Sequence, residues 1–311
     1  MTLPRTTLFA LGLLTAGLCG CGASFDSPSL LTKLRLVALQ ATPVNPAEGE
    51  ATTIAPLVYS ASDAPMDFSW SWCPLLGDAN DGYVCPLSHD DASAMLAAAG
   101  VTAPLPSFDL GAGSTASFTN PFAPEMLAAL CEAGFDGQTL DCKDGFPIRV
   151  SVRVTQGTAQ QLGTTVVRLP LVAGAVSNKN PLPGALSIDL ASGTQALDAS
   201  VQVPRLQESL LHVAIDDAQA ETYVGTGLDG GTATLRETLL FTWFTELGDL
   251  HDARTLFIEG ANELGGASAD KWKPPATRVD ARPTSRLIVV VRDDRGGVGW
   301  TSATASLEPT P

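Results

Sequence analysis

A chain of 311 residues with 33 acidic and 18 basic side chains carries a formal net charge of −15. Such a surface repels phosphate backbones and excludes a nucleic-acid partner, and it offers no polybasic patch to hold a membrane. The length suits two domains of ordinary size; 22 prolines and 29 glycines, with few long helical patterns, predict many short strands joined by turns.

At the N-terminus, Arg5 is the only charge before Asp26, and Leu8 to Leu18 is an apolar run. A membrane span needs about 18 to 20 apolar residues, so this run is too short. A basic start, a short apolar core and small residues after it read as a signal peptide over residues 1–20. Leu18-Cys19-Gly20-Cys21 then resembles a bacterial lipobox, with Leu at −3, Gly at −1 and Cys at +1. The resemblance implies that Cys21 is acylated and becomes the mature N-terminus, while Cys19 leaves with the signal. Taking Cys19 as the lipid site would put Leu18 at −1, where that family has Gly, Ala or Ser. An ordinary signal peptide cut nearby is the alternative. Each buried CH₂ adds about 0.8 kcal/mol, so two or three acyl chains hold firmly. By analogy with enteric lipoproteins, Gly22 at +2 implies the outer membrane of the cell envelope, reached through the lipid.

Four cysteines follow the anchor: Cys73, Cys85, Cys131 and Cys142. An even number in an exported chain reads as disulfides. The spacing favours Cys73–Cys85 and Cys131–Cys142, each closing a short loop worth roughly 3 kcal/mol in the loop-entropy model. Zinc is the competing use, but no CxxC is present and no His lies beside these cysteines at ligand spacing.

Residues 21–31 read as a lipidated tether. Lys33 to Leu39 and ATTIAPLVYS (51–60) read as strands around a Pro/Gly turn. MDFSWSWCP (66–74) places Phe68, Trp70 and Trp72 on one face and Ser69, Ser71 and Cys73 on the other, a half-buried strand. FPIRVSVRVTQ (146–156) alternates strictly, with Ile148, Val150, Val152 and Val154 inward and Arg149, Ser151, Arg153 and Thr155 outward. After a loop, TTVVRLPLV (164–172) returns. Between these strands, about 75–145, lies an insertion with two short helices: one capped by Asp90 and Asp91 and stopped at Gly100, the other begun by Pro124 and stopped at Gly134.

AGAVSNKNPLPG (173–184) reads as a linker. Beyond it, LQESLLHVAID (206–216) is a strand, and LRETLLFTWFTEL (235–247) repeats the F-x-W spacing at Phe241 and Trp243. Arg286 to Arg292 is a buried strand that turns at Asp293–Gly297 and returns at Val298–Thr301. Each half therefore has an early strand pair, an F-x-W strand and a late apolar hairpin. The expected fold is mainly β: two tandem immunoglobulin-like β-sandwich domains, 32–172 and 185–311, the first with a partly helical, disulfide-stapled insertion. The halves resemble the Ig/PKD-like modules of bacterial surface proteins. The lipobox together with FSWSWCP, LLFTWF and IVVVRDDRGGVGW is similar to surface lipoproteins of myxobacteria. That resemblance implies a fold and brings no catalytic residues.

The chemistry is sparse. His89 stands in Ser-His-Asp-Asp at a helix start, His212 inside an apolar strand, and His251 in GDLHDAR beside Asp249 and Asp252. Each can be read as a base or metal ligand, or as a solvated or packed residue. VGTGLDGG (224–231) matches G-x-G-x-x-G at Gly225, Gly227 and Gly230, but a β-like run follows where a dinucleotide site needs a helix. No cofactor is expected. In GDANDGYVC (77–85), Asp78, Asn80 and Asp81 offer oxygens for calcium, yet the loop is one residue short of the calcium-loop pattern and lacks its distal Glu. The expected function is non-enzymatic: an anchored envelope protein with a structural or binding role. A carbohydrate- or protein-binding accessory subunit, with glycans or envelope proteins as partners, is the alternative; an envelope hydrolase around His89 or His251 is a third.

Overall fold

Period-two alternation builds the first sandwich. The computed structural model describes residues 27–77, 80, 82–98, 104–134, 140–226 and 231–309. In chain order the first half contains β1 (Arg35–Thr42), β2 (Ala51–Tyr59), β3 (Asp67–Cys73), α1 (His89–Ala98), β4 (Asp109–Gly111), β5 (Ala116–Thr119), α2 (Pro124–Ala133), β6 (Phe146–Gln156) and β7 (Ala159–Leu169). One sheet runs β1-β2-β5 and the other β4-β3-β6-β7. Trp70, Trp72, Ile148, Val150 and Val152 of the second sheet pack on Leu39, Ile54 and Phe118 of the first. First, second and fifth strands on one sheet, with third, sixth and seventh on the other, is the immunoglobulin-like arrangement; β4 joins the edge of the second sheet.

The middle segment is less of an insertion than its sequence predicts. β5 pairs with β2 and β4 with β3, so residues 109–119 complete the sandwich. Only the two helices and their disulfides are additions. The cap of α1 is Ser88, not Asp90: its hydroxyl accepts from the Asp91 N–H at 3.1 Å and donates to the Asp91 carboxylate at 2.6 Å. Gly100, the expected stop, lies outside the described residues. Arg149, expected outward, is buried. Its strand position pairs with Cys73, so the loop closed by the Cys73–Cys85 disulfide folds over it; Arg149 donates to the Leu76 carbonyl and lies 5.9 Å from the Tyr83 ring centre.

The second half contains β8 (Leu186–Leu190), β9 (Gly193–Ala196), β10 (Gln202–Val203), β11 (Ser209–Val213), β12 (Thr222–Thr226), β13 (Thr232–Arg236), β14 (Leu239–Thr245), β15 (Asp249–Leu250), β16 (Arg254–Phe257), α3 (Leu264–Ala267), β17 (Ala269–Lys273), β18 (Thr284–Asp293) and β19 (Val298–Leu307). Sheets in the orders β10-β19-β18-β14-β16 and β15-β17-β11-β8-β9 face each other, and β12-β13 is a separate hairpin. Phe241, Trp243, Leu287, Val289 and Val291 meet Ile188, Leu211 and Trp272 in the core. This is again an immunoglobulin-like sandwich.

β14 and β18 are buried on both faces. Phe244, Ile288 and Val290, with Val298 of β19, turn away from their own core and pack on Leu31, Val37, Ala38 and Tyr59. That second burial explains why the sequence of β18 is a continuous apolar run instead of an alternation. Each such side chain contributes roughly 1.5–3 kcal/mol. The two sandwiches are thereby joined along a seam of hydrocarbon.

Both connecting segments are drawn into this seam. The last five residues of the expected tether are docked: Thr245 donates its N–H to Ser29 O, Leu31 donates to Thr245 O, and Leu31 is fully buried. The expected linker is also packed. Asn178 is buried, Asn180 bonds the Ala41 carbonyl at 2.8 Å and accepts from the Val298 N–H at 2.9 Å, and Gly299 lets the Pro181 carbonyl approach where any Cβ would collide. Ile288→Ala should lower stability by about 2–5 kcal/mol and open residues 173–184 to limited proteolysis. Ile188→Ala, in the second core, should cost a similar amount and leave that segment protected. Equal cleavage of the two variants would show that the seam does not hold the linker.

Candidate functional site

The seam ends in two polar regions. In one, Glu237, between β13 and β14, is fully buried. Its carboxylate accepts from the Glu221 N–H at 3.0 Å and from Arg295 Nη1 at 3.2 Å. Arg295 also donates to Asn178 Oδ1 at 3.3 Å and lies 4.6 Å from the Tyr223 ring centre. Asn178 Nδ2 donates to Asp293 at 3.0 Å, and Asp293 accepts from the Arg295 and Gly297 amides. Burial first, and the Asp293 charge second, push the Glu237 carboxyl up to about 7. Burial likewise raises Asp293. These groups tie the linker, the β18–β19 turn and the β12–β13 hairpin into one unit.

The other region is a groove of about 720 Å³ between the sandwiches. The first sandwich and its lead-in contribute Ser29, Arg35 and Val37; the second contributes Phe244, Thr242, His251, Asp252, Arg254 and Arg292. Arg292 donates to the Val37 carbonyl at 3.1 Å, crossing between the sandwiches. Arg35 lies 5.5 Å from the centre of the Phe244 ring.

The predicted site residues scatter. His89 bonds the Leu105 carbonyl at 3.1 Å through Nε2 and packs edge-on against Phe108. His212 meets Asp189 at 3.1 Å. His251 Nδ1 is 3.2 Å from Asp252. Among the described residues none of the three imidazole rings hydrogen-bonds a Ser, Thr or Cys side chain. Asp249 is not drawn to His251: it lies in β15 opposite Lys273. Asp270 comes in its place, and ligand atoms of His251, Asp252 and Asp270 lie within 4.8 Å of one another. The Asp270 carboxylate already accepts from the Asp252, Ala253 and Lys271 amides. It therefore shapes the 251–253 loop and has little lone-pair capacity left for a metal. Asp270 has one sequence signal: it shares the parity of Trp272, the core face of β17. Glu237 has none, sitting in an ordinary polar interval.

Cys73–Cys85 and Cys131–Cys142 are joined in disulfides, which belong to an oxidising compartment, extracellular or periplasmic. Among the described residues no helix is long and apolar enough to cross a membrane. Beside the disulfides, α1, α2 and β6 enclose an apolar cavity of about 220 Å³ whose described lining, with Leu96, Leu105, Leu127 and Leu130, includes no polar side chain. Cys21, Asp78, Asp81, Gly227 and Gly230 lie outside the described residues. Asn80 is described and exposed, and Gly225 belongs to the β12–β13 hairpin.

No family model and no curated protein sequence matches the chain. Among solved structures, the chain is similar to red sea bream transglutaminase at 10% identity and a TM-score of 0.25, covering 90% of this chain and 32% of that one. It is similar to a chimeric titin Z1Z2–Z1Z2 tandem at 11% identity and a TM-score of 0.21, covering 88% and 99%. The eight N-terminal Ig domains of Down Syndrome Cell Adhesion Molecule match at 10% identity and a TM-score of 0.20, covering 89% and 25%. The chain thus spans about a third of the transglutaminase's length, and likenesses this distant carry no argument about activity.

Glu237 makes the seam pH-sensitive. The folded state holds its proton up to about pH 7, against an ordinary value of 4.5. The contribution of Glu237 to stability is therefore fullest below pH 4.5 and is lost as pH rises to about 7, by up to about 3 kcal/mol. Urea unfolding at the two ends of that window should show the loss, and Glu237→Gln should flatten it, leaving the smaller contribution of Asp293. An unchanged slope in Glu237→Gln would assign the effect elsewhere.

Proposed function

We propose that this chain is a non-enzymatic lipoprotein of the bacterial cell envelope, held by acyl chains on Cys21 and carrying a rigid two-sandwich body with a binding groove at its seam. The lipobox-like Leu18-Cys19-Gly20-Cys21 supports the anchor, and the two disulfides support export. Gly22 at +2 favours the outer membrane.

The observation that carries the reading is the docking of residues 27–31. Leu30 bridges Thr245 in parallel, and Leu31 is sealed in the seam. The anchored end therefore leaves the body at the junction of both sandwiches, beside the groove that Ser27 and Ser29 line. A body gripped there is held by both modules at once. A binding role is favoured over a mere spacer because the groove is large and charged and draws on both sandwiches.

Metabolic labelling with a palmitate analogue should mark the wild type and Cys19→Ala, and fail in Cys21→Ala, which should appear in the soluble fraction. Equal labelling of wild type and Cys21→Ala would refute the anchor.

A further inference from the structure

The groove gathers three arginines against a single carboxylate among its described lining. Arg254 lies opposite Thr242 in the β14–β16 ladder, and Thr242 lies opposite Val290 in the β14–β18 ladder. Residues paired across a sheet share a face, so Arg254 and Thr242 project on the face that carries Val290 into the seam. Arg292, two residues after Val290, shares that face. Arg35 enters from β1 of the other sandwich.

None of the three arginines is ion-paired among the described residues. Arg292 donates to the Val37 carbonyl at 3.1 Å and to Thr242 Oγ1 at 3.5 Å; Arg35 reaches only the Leu30 carbonyl, at 3.5 Å. Burial and the like charge of Arg254 hold the Arg292 pKa below its ordinary value, and burial does the same for Arg35. Among the described residues the one carboxylate lining the groove is Asp252, and His251 faces it at 3.2 Å. In a chain with 33 acidic and only 18 basic residues, carboxylates are plentiful, yet they are kept from these guanidiniums. A partly buried cation without a counter-charge is costly, and that cost is relieved when a ligand supplies the charge.

We infer that this groove binds a phosphate group, gripped between Arg254 and Arg292 with Arg35 closing from the first sandwich. A phosphate dianion matches the surplus of positive charge, and guanidinium forks bind its oxygens in pairs. The ligand is either a soluble phosphate ester or a membrane headgroup. Five residues separate Cys21 from Ser27, six steps that span at most about 22 Å, so an acylated Cys21 keeps the groove within reach of headgroups. Only the headgroup source rests on the anchoring reading; the site itself does not.

The full chain in neutral detergent, titrated calorimetrically with inorganic phosphate, should show saturable binding. Arg254→Glu, an exposed position that should fold normally, should weaken it by at least about tenfold. Arg292→Lys, which keeps the charge and loses the fork, should weaken it less. Arg153→Glu, the same charge change on an exposed face of the first sandwich, should leave it unchanged. Absence of saturable binding, or equal weakening by Arg254→Glu and Arg153→Glu, overturns the site. Cys21→Ala protein mixed with phosphatidylcholine vesicles, with and without phosphatidic acid, then separates the sources. Arg254-dependent sedimentation with phosphatidic acid assigns a headgroup; phosphate binding without sedimentation assigns a soluble ester. Loss of palmitate labelling with phosphate binding intact would remove the anchor and leave the site standing.

Discussion

Burial of the outer face of the β14–β18 sheet is the constraint on which the molecule's shape depends. A sandwich needs only one hydrophobic face per sheet. Here the second face is also apolar, through Phe244, Ile288 and Val290, and exposing it would leave a patch of the kind that drives association. β1, the end of β2 and Leu31 cover it. That coverage fixes the first sandwich against the second and brings Arg35 opposite Arg292. It also pulls the two connecting segments, which composition alone would leave loose, into ordered positions. Domains joined by small polar contacts are expected to move against each other; a hydrocarbon seam sealed by the linker itself opposes that motion.

The polar regions that border the seam work in opposite electrostatic senses. Around Glu237 the buried charges are mutually satisfied: Arg295, Asn178 and backbone amides answer Glu237 and Asp293. Breaking one member there leaves another uncompensated, the usual hazard of a buried pair, so this region suits a clamp. In the groove, among the described residues, Arg292 and Arg35 hydrogen-bond carbonyl and hydroxyl oxygens and no carboxylate; such oxygens solvate a charge without neutralising it. The first arrangement is complete without a ligand. The second is not, and this contrast within one molecule, more than the presence of arginines, marks the groove as the place where something else binds.

Legibility followed the physical source of each element. β3 and β6 were legible almost to the residue, because one face of each meets a core and period two is undiluted. β18 was legible as a strand, but its two-sided burial points to a partner surface that no local pattern names. Short strands such as β4, β15 and β16 were not legible: two to four residues are too few to show a period, and tertiary pairing alone makes them strands. Arg149 and Asp270 defeated the in-out rule for one shared reason. Each is a charged residue on a buried position whose partners are backbone groups of a loop, the Leu76 carbonyl for one and the 252–253 amides for the other. The groove was invisible for a further reason: Arg35, Arg254 and Arg292 lie far apart in sequence and are joined only by the seam. His251 was legible as a candidate, but its company is Asp252 and Asp270, not Asp249.

The way the chain enters the body bears on how an acidic protein could use a cationic groove near a membrane. A net charge of −15 repels anionic headgroups over the whole surface, yet that repulsion decays over a Debye length of about 8 Å at physiological ionic strength. Held through Cys21, the groove would be the feature of the body nearest the membrane, since Ser27 and Ser29 form its rim, and the body would come within this distance only there. Like-charge repulsion would then act as an orienting force. It disfavours every approach in which an acidic face meets the membrane and leaves the arginine-lined junction as the least penalised one. On this argument the acidic charge balance is part of how the groove would be selective: the body repels the anions that its three arginines attract.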